Sequence, residues 1–165
     1  MSRRIAVIAI AAAILSLAGC ALFQQPTYAQ VRQETLDAMD HVASLMTDHG
    51  RIERTPEFEP YGCGDPLIFG SGRGAFYTGQ WTIAVADDFD VDQFVDSLPA
   101  LLADEWTEES LGVPVREPYI YLVRKSPRMT LSVQESSLDG GKAVELLAIS
   151  RCGAEEPETD EPARQ

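Results

Sequence analysis

The chain has 165 residues and a formal net charge of −13. A surface this acidic repels nucleic acid and anionic lipid at long range, which argues against a nucleic-acid-binding role. The length suits one domain, and the apolar share of 45% is enough for a buried core.

Ser2-Arg3-Arg4 opens the chain with positive charge, and Ile5 to Leu17 follows with no charged residue. That run is too short for a membrane-spanning helix, which needs about 20 residues, and it fits the apolar core of an export signal. Small residues then lead to a cysteine, in Leu17-Ala18-Gly19-Cys20. The stretch resembles the lipobox of bacterial lipoproteins. The resemblance implies a signal peptide over 1–19, cleavage between Gly19 and Cys20, and a diacylglyceryl group on the Cys20 sulfur. Cys20 is thus the expected lipidation site, with acyl chains such as palmitate as the lipid anchor. Two acyl chains hold a protein stably where one does not, at about 0.8 kcal/mol per buried CH₂. The plain alternative is an ordinary export signal with an incidental cysteine.

There are 3 cysteines. If Cys20 carries lipid, Cys63 and Cys152 remain as an even pair, and two thiols in an oxidising compartment usually form a disulfide. Closing so long a loop stabilises a fold by about 4–5 kcal/mol in the chain-entropy account. The sequence has no Cys-x-x-Cys and no histidine near either cysteine, so no metal site is expected.

Residues 20–26 read as a lipidated tether spanning on the order of 20 Å when extended. Thr27 with Gln30 fits a capping box. Tyr28, Val31, Thr35, Met39, Val42 and Met46 then form one apolar helical stripe. Glu34, Asp37, Asp40, His41 and Asp48 face away from it. Residues 50–74 read mostly as loop, punctuated by proline and glycine. AFYTGQWTIAVA (75–86) alternates like a strand, with a bulge expected at Gly79. Asp87 to Asp90 starts a second helix through Val91, Phe94, Val95, Leu98, Leu101 and Leu102, which Pro99 must kink or restart. Residues 107–118 read as loop. YIYLVRK, MTLSVQE and KAVELLAIS read as three closing strands, the last two joined through Asp139-Gly140-Gly141. Residues 154–165 form a polar, acidic tail that is expected to be disordered.

The order predicts a single α+β domain over 27–153. It should be an antiparallel sheet of about four strands with two helices packed on one face. The lipobox, Cys63 ahead of the main strand, the tryptophans of the helix–strand region and the closing Ser150-Arg151-Cys152 are similar to small lipoproteins of high-GC Gram-positive bacteria. Lys125 and Lys142 are the only lysines among many arginines, a codon bias of GC-rich genomes. That similarity implies a cell-envelope location and no particular reaction.

Candidate sites each have a plain counterpart. Asp37 and His41 lie one helical turn apart and fit a surface ion pair. His49 does not converge with His41, and no third metal ligand is spaced for them. Gly70-Ser71-Gly72-Arg73-Gly74 could cradle an anion, but it precedes a strand and lacks a P-loop ending, so a flexible loop is the expectation. Arg124, Lys125 and Arg128 could meet an acidic partner or keep a strand edge soluble. Asp65, Asp87, Asp88 and Asp90 show no pairing logic, and helix starts and loops account for them. No hydrolase, β-lactamase or zinc-protease motif occurs, so no catalytic residue and no cofactor is assigned. The sequence therefore points to an extracytoplasmic lipoprotein, held to the cell membrane through lipid on Cys20. It would act as a non-enzymatic binding or interaction module for an envelope protein or ligand. The alternative is an envelope hydrolase or small-ligand carrier with a pocket lined by Trp81, Trp106 and tyrosines.

Overall fold

The computed structural model describes residues 25–46, 50–57, 59–64 and 74–154. Cys20, the leader, His49, Asp48, Asp65, Arg73 and residues 155–165 lie outside them. Helix α1 spans Tyr28–Ser44. Its start is set by the predicted capping box, in which the Gln30 N–H donates to Thr27 Oγ1 at 3.2 Å and the Thr27 N–H donates to Gln30 Oε1 at 2.9 Å. Val31, Thr35, Met39, Val42 and Met46 are buried as the stripe requires. Asp37, Asp40 and His41 are exposed.

The remaining elements follow in chain order. They are β1 (Ile52–Arg54), β2 (Tyr61–Gly62), β3 (Ala75–Phe76), β4 (Thr78–Ala84), α2 (Val91–Leu101), β5 (Trp106–Glu108), β6 (Tyr119–Lys125), β7 (Arg128–Leu138) and β8 (Gly141–Ser150). Asp90 caps α2 by accepting from the Gln93 N–H at 2.9 Å. Pro99 lies inside the last turn of α2, so the helix does not restart there. Asp139 and Gly140 both have positive φ and join β7 to β8 in a two-residue turn, as the Asp-Gly pair predicts.

The main sheet has six strands in the order β1-β4-β8-β7-β6-β5, and every neighbouring pair is antiparallel. The α+β class holds, but the expected four-strand sheet is too small. The two additions are the edges, β1 and β5, each three residues long. Both fall in segments read as loop, because a strand this short carries no period of its own and exists through its neighbour. A separate two-stranded ribbon pairs β2, from the segment read as loop, with β3, the first two residues of the stretch read as one strand over 75–86.

One face of the sheet carries the core. Trp81, Leu146, Val133 and Ile120 lie in register across four strands, and Ala148, Leu131 and Leu122 form the next row. These residues share one buried cluster with Met39 and Val42 of α1 and with Phe94, Val95 and Leu98 of α2. Each fully buried side chain of this size contributes about 1.5–3 kcal/mol. Gly79 lets α1 approach the sheet, since a Cβ there would lie 2.6 Å from the Met39 sulfur. The other face is half-exposed, with Gln80 and Gln134 both donating to the Glu145 carboxylate at 3.1 and 2.8 Å.

The end of the sheet where β8 finishes is also where the chain enters. The Tyr28 N–H donates to Ala154 O at 2.8 Å, and the Ala154 N–H donates to Pro26 O at 2.7 Å. Ala75 and Gly153 exchange two further backbone bonds. Cys63 and Cys152, 89 residues apart in sequence, form the expected disulfide at this end.

Two stability changes follow. A Cβ on Gly153 would sit 2.6 Å from Thr27 O, against backbone that cannot yield cheaply. Gly153→Ala should therefore cost about 1–3 kcal/mol in urea denaturation. An open site would instead gain up to about 1 kcal/mol from the stiffer unfolded chain. The double variant C63A/C152A should lose about 2–5 kcal/mol in the same assay.

Candidate functional site

Helix α1 forms a ridge along the core face, and each of its flanks drops into a groove floored by a tryptophan. The same device builds both floors. In the first, Arg54 of edge strand β1 lies directly opposite Trp81 of β4. In the second, Trp106 of edge strand β5 lies directly opposite Arg124 of β6. Cross-strand partners are close enough for long side chains to cover one another. The Arg54 guanidinium sits 4.5 Å from the Trp81 ring centre, and that of Arg124 sits 5.3 Å from the Trp106 ring centre.

The first groove encloses about 280 Å³ between Arg32, Leu36 and Asp40 of α1 and Arg54, Thr55 and Trp81. Its arginines are already matched to carboxylates. Arg54 lies 3.7 Å from Asp40. Arg32 binds both oxygens of Glu57, with its Nε donating at 2.9 Å, and also lies 5.6 Å from the Tyr77 ring centre. The Tyr77 hydroxyl reaches Glu57 Oε1 at 3.4 Å. Hydrogen bonding to Arg32 holds the Glu57 carboxyl below the usual carboxylate range. Burial, reinforced by the Glu57 charge, pushes the Tyr28 and Tyr77 phenols up, so both are neutral at physiological pH.

The second groove is larger, about 660 Å³, and is lined by Asp37, Ala38, His41, Trp106, Arg124 and Pro127 among others. The Arg124 side chain is only 11% exposed. It donates to the Pro127 carbonyl at 3.3 Å and to Glu105 at 3.2 Å, which fixes its plane over the tryptophan. Of the groove's carboxylates, Glu34 is paired with Arg151 and Glu105 with Arg124, so among the described residues Asp37 is the one outside an ion pair.

The sequence-based candidates fall into place unevenly. Asp37 accepts a hydrogen bond from Gln33 Nε2 at 2.8 Å, and His41, one turn on, is exposed on the wall of the second groove. Trp81 and Trp106 do not share a pocket. They belong to β4 and β5, which three strands separate, a gap of about 19 Å at the usual strand spacing. Each is buried in the common core with one face turned to its own groove. Arg124 lies on an inner strand, while Lys125 and Arg128 flank the β6–β7 turn at the end of the sheet rather than along an edge. Asp87, Asp88 and Asp90 belong to the approach to α2. Arg32, Arg54 and Glu57 were missed, because only the register of β1 and the packing of the loop after it bring them to α1.

Among the described residues no group of three His, Cys, Asp or Glu side chains is placed to hold a metal ion, and no helix is long and apolar enough to cross a membrane. No protein-family profile, curated protein or solved structure matches the chain. What the two grooves offer chemically is contact: guanidinium groups held flat over buried indoles, with neighbouring carboxylates.

The lowered Glu57 value has a consequence for acid stability. Its contribution is present above the ordinary value of 4.5 and is lost as pH falls through the lower folded value. The side chain is 42% exposed, so the contribution is below about 1 kcal/mol. Glu57→Gln should lower stability above the ordinary value of 4.5 by up to that amount, leave it nearly unchanged below the folded value, and so flatten the acid limb of a stability–pH curve measured by urea denaturation.

Proposed function

We propose that this protein is a lipid-anchored, extracytoplasmic lipoprotein of the cell envelope that works by binding rather than by catalysis. One observation carries the reading: Leu17-Ala18-Gly19-Cys20 closes an uncharged run that begins just after Arg3-Arg4. Diacylation of Cys20 would place the domain at the outer face of the cytoplasmic membrane, where the Cys63–Cys152 disulfide persists. The grooves beside α1 supply the binding surface. The larger one, where the exposed Asp37 carboxylate makes no ion pair among the described residues, suits a positively charged segment of an envelope protein or a cationic ligand.

The intact mass of the membrane-extracted chain, alkylated without reduction, tests the anchor. The expected species begins at a lipid-bearing Cys20 and takes up no alkyl group at Cys63 or Cys152. Cys20→Ser should move the protein out of the membrane fraction. An unmodified chain with two reactive thiols would overturn the location. A photo-crosslinking amino acid placed at Asp37 should capture a reproducible envelope partner. Its failure there, with capture at no other groove position, would overturn the binding role.

A further inference from the structure

We infer that the end of the domain where the chain enters is also built to lie against anionic lipid headgroups, through Lys125, Arg128 and Tyr61. The inference rests on the lipid anchor proposed above and adds an orientation to it. The entry point is fixed by the backbone bonds of Pro26 and Tyr28 to Ala154. Five residue steps separate Cys20 from Gln25, at most about 18 Å when fully extended. This end is therefore held near the bilayer whatever its surface chemistry.

Its surface chemistry suits that position. Lys125 and Arg128 are paired across the β6–β7 turn and are both exposed. Among the described residues neither makes an ion pair, whereas Arg32, Arg51, Arg54, Arg124 and Arg151 are each matched to a carboxylate. Lys142, at the opposite end, is spent on the carbonyls of Asp87 and Phe89. Tyr61 is 47% exposed and stacks on Phe76 at the tether end, with ring centres 5.4 Å apart. A tyrosine with one apolar face and a hydroxyl suits the headgroup region. The opposite end carries exposed Asp87, Asp88, Asp90 and Asp139, which would be repelled by the same lipids.

The net charge of the whole chain does not prevent this contact. At physiological ionic strength the screening length is about 8 Å, so a bilayer senses the end that touches it rather than the far carboxylates. Glu59, Asp104 and Glu105 also belong to the tether end, and Glu105 is neutralised by Arg124. Glu155, Glu156, Glu158, Asp160 and Glu161 follow Ala154 in the sequence, outside the described residues, so the test below includes their removal.

The test uses the mature full-length chain, carrying a fluorescent amino acid at Ser126 or, in a second protein, at Ser137 of the far end. Cys20 is coupled chemically to a lipid and the chain is inserted into vesicles containing a headgroup-quenching lipid. With phosphatidylglycerol present, the label at Ser126 should be quenched and the label at Ser137 should not. Each of K125E and R128E should lower the docked-to-free ratio at least about fivefold, the effect of losing one surface cation. Equal quenching at both positions, or quenching at Ser126 that the charge reversals leave unchanged, would overturn the inference. So would docking seen only after residues 155–165 are removed, since the tail would then hold the turn. Chemical coupling keeps the two questions apart: loss of docking in the coupled protein counts against this orientation, and absence of lipid on Cys20 in cells counts against the anchor.

Discussion

The fold depends on a seam in which the end of the described chain holds its beginning. Gly153 and Ala154 bond to Ala75, Pro26 and Tyr28, and no side chain larger than hydrogen fits at Gly153. Three neighbours reinforce it. Cys152 is tied to Cys63. Arg151 donates to both oxygens of Glu34 on α1 at 2.9 and 3.0 Å. The Ser150 hydroxyl accepts from the Tyr77 N–H at 2.8 Å, which bridges the gap between β3 and β4. Without this seam α1 would be held to the sheet by its apolar stripe and the exposed ion pairs of Asp40 with Arg54 and Arg32 with Glu57. With it, the first turn of α1 has one position, and so do the grooves on its flanks.

How much of this was legible depended on how local the cause was. The capping box of α1, the apolar stripes of both helices, the three long strands β6–β8 and the Asp-Gly turn are set within a few residues of sequence, and the structure has them all. The disulfide was legible by counting cysteines rather than by geometry. The edges β1 and β5 were not, because three residues such as Ile52-Glu53-Arg54 become a strand only when β4 offers them a ladder. The grooves failed for the same reason. Arg54 meets Trp81 and Arg124 meets Trp106 through those two edge pairings, so a reader without the register sees four unrelated residues.

The two edges also explain how an acidic protein uses its few cations. An edge strand is exposed to pairing by other chains unless something blunts it. Here each edge is short, and each arginine–tryptophan pair covers a buried indole, with Arg54 exposed and Arg124 itself largely buried. A carboxylate then neutralises each arginine, Asp40 on one side and Glu105 on the other. These contacts contribute modestly to stability where they are exposed. Their larger effect is to fix planar side chains at the groove floors, where a ligand of the kind proposed would meet surfaces that need no ordering on binding.

Orientation links the seam to the binding reading. Helix α1 starts at the seam and runs away from it, with Gly50, a few residues beyond its end, bonded to Ala84 at the opposite end of the sheet. With the seam at the bilayer, α1 stands up from the membrane and its grooves open sideways. The segment after β5 then lies at the outermost end. Leu111, Val113 and Val115 are 43%, 62% and 38% exposed there, on a segment that bends at Gly112, whose φ is +70°. Under the proposed anchor the layout would separate three tasks along one axis, with the basic turn toward the membrane, the grooves facing along it and the apolar segment facing away from it.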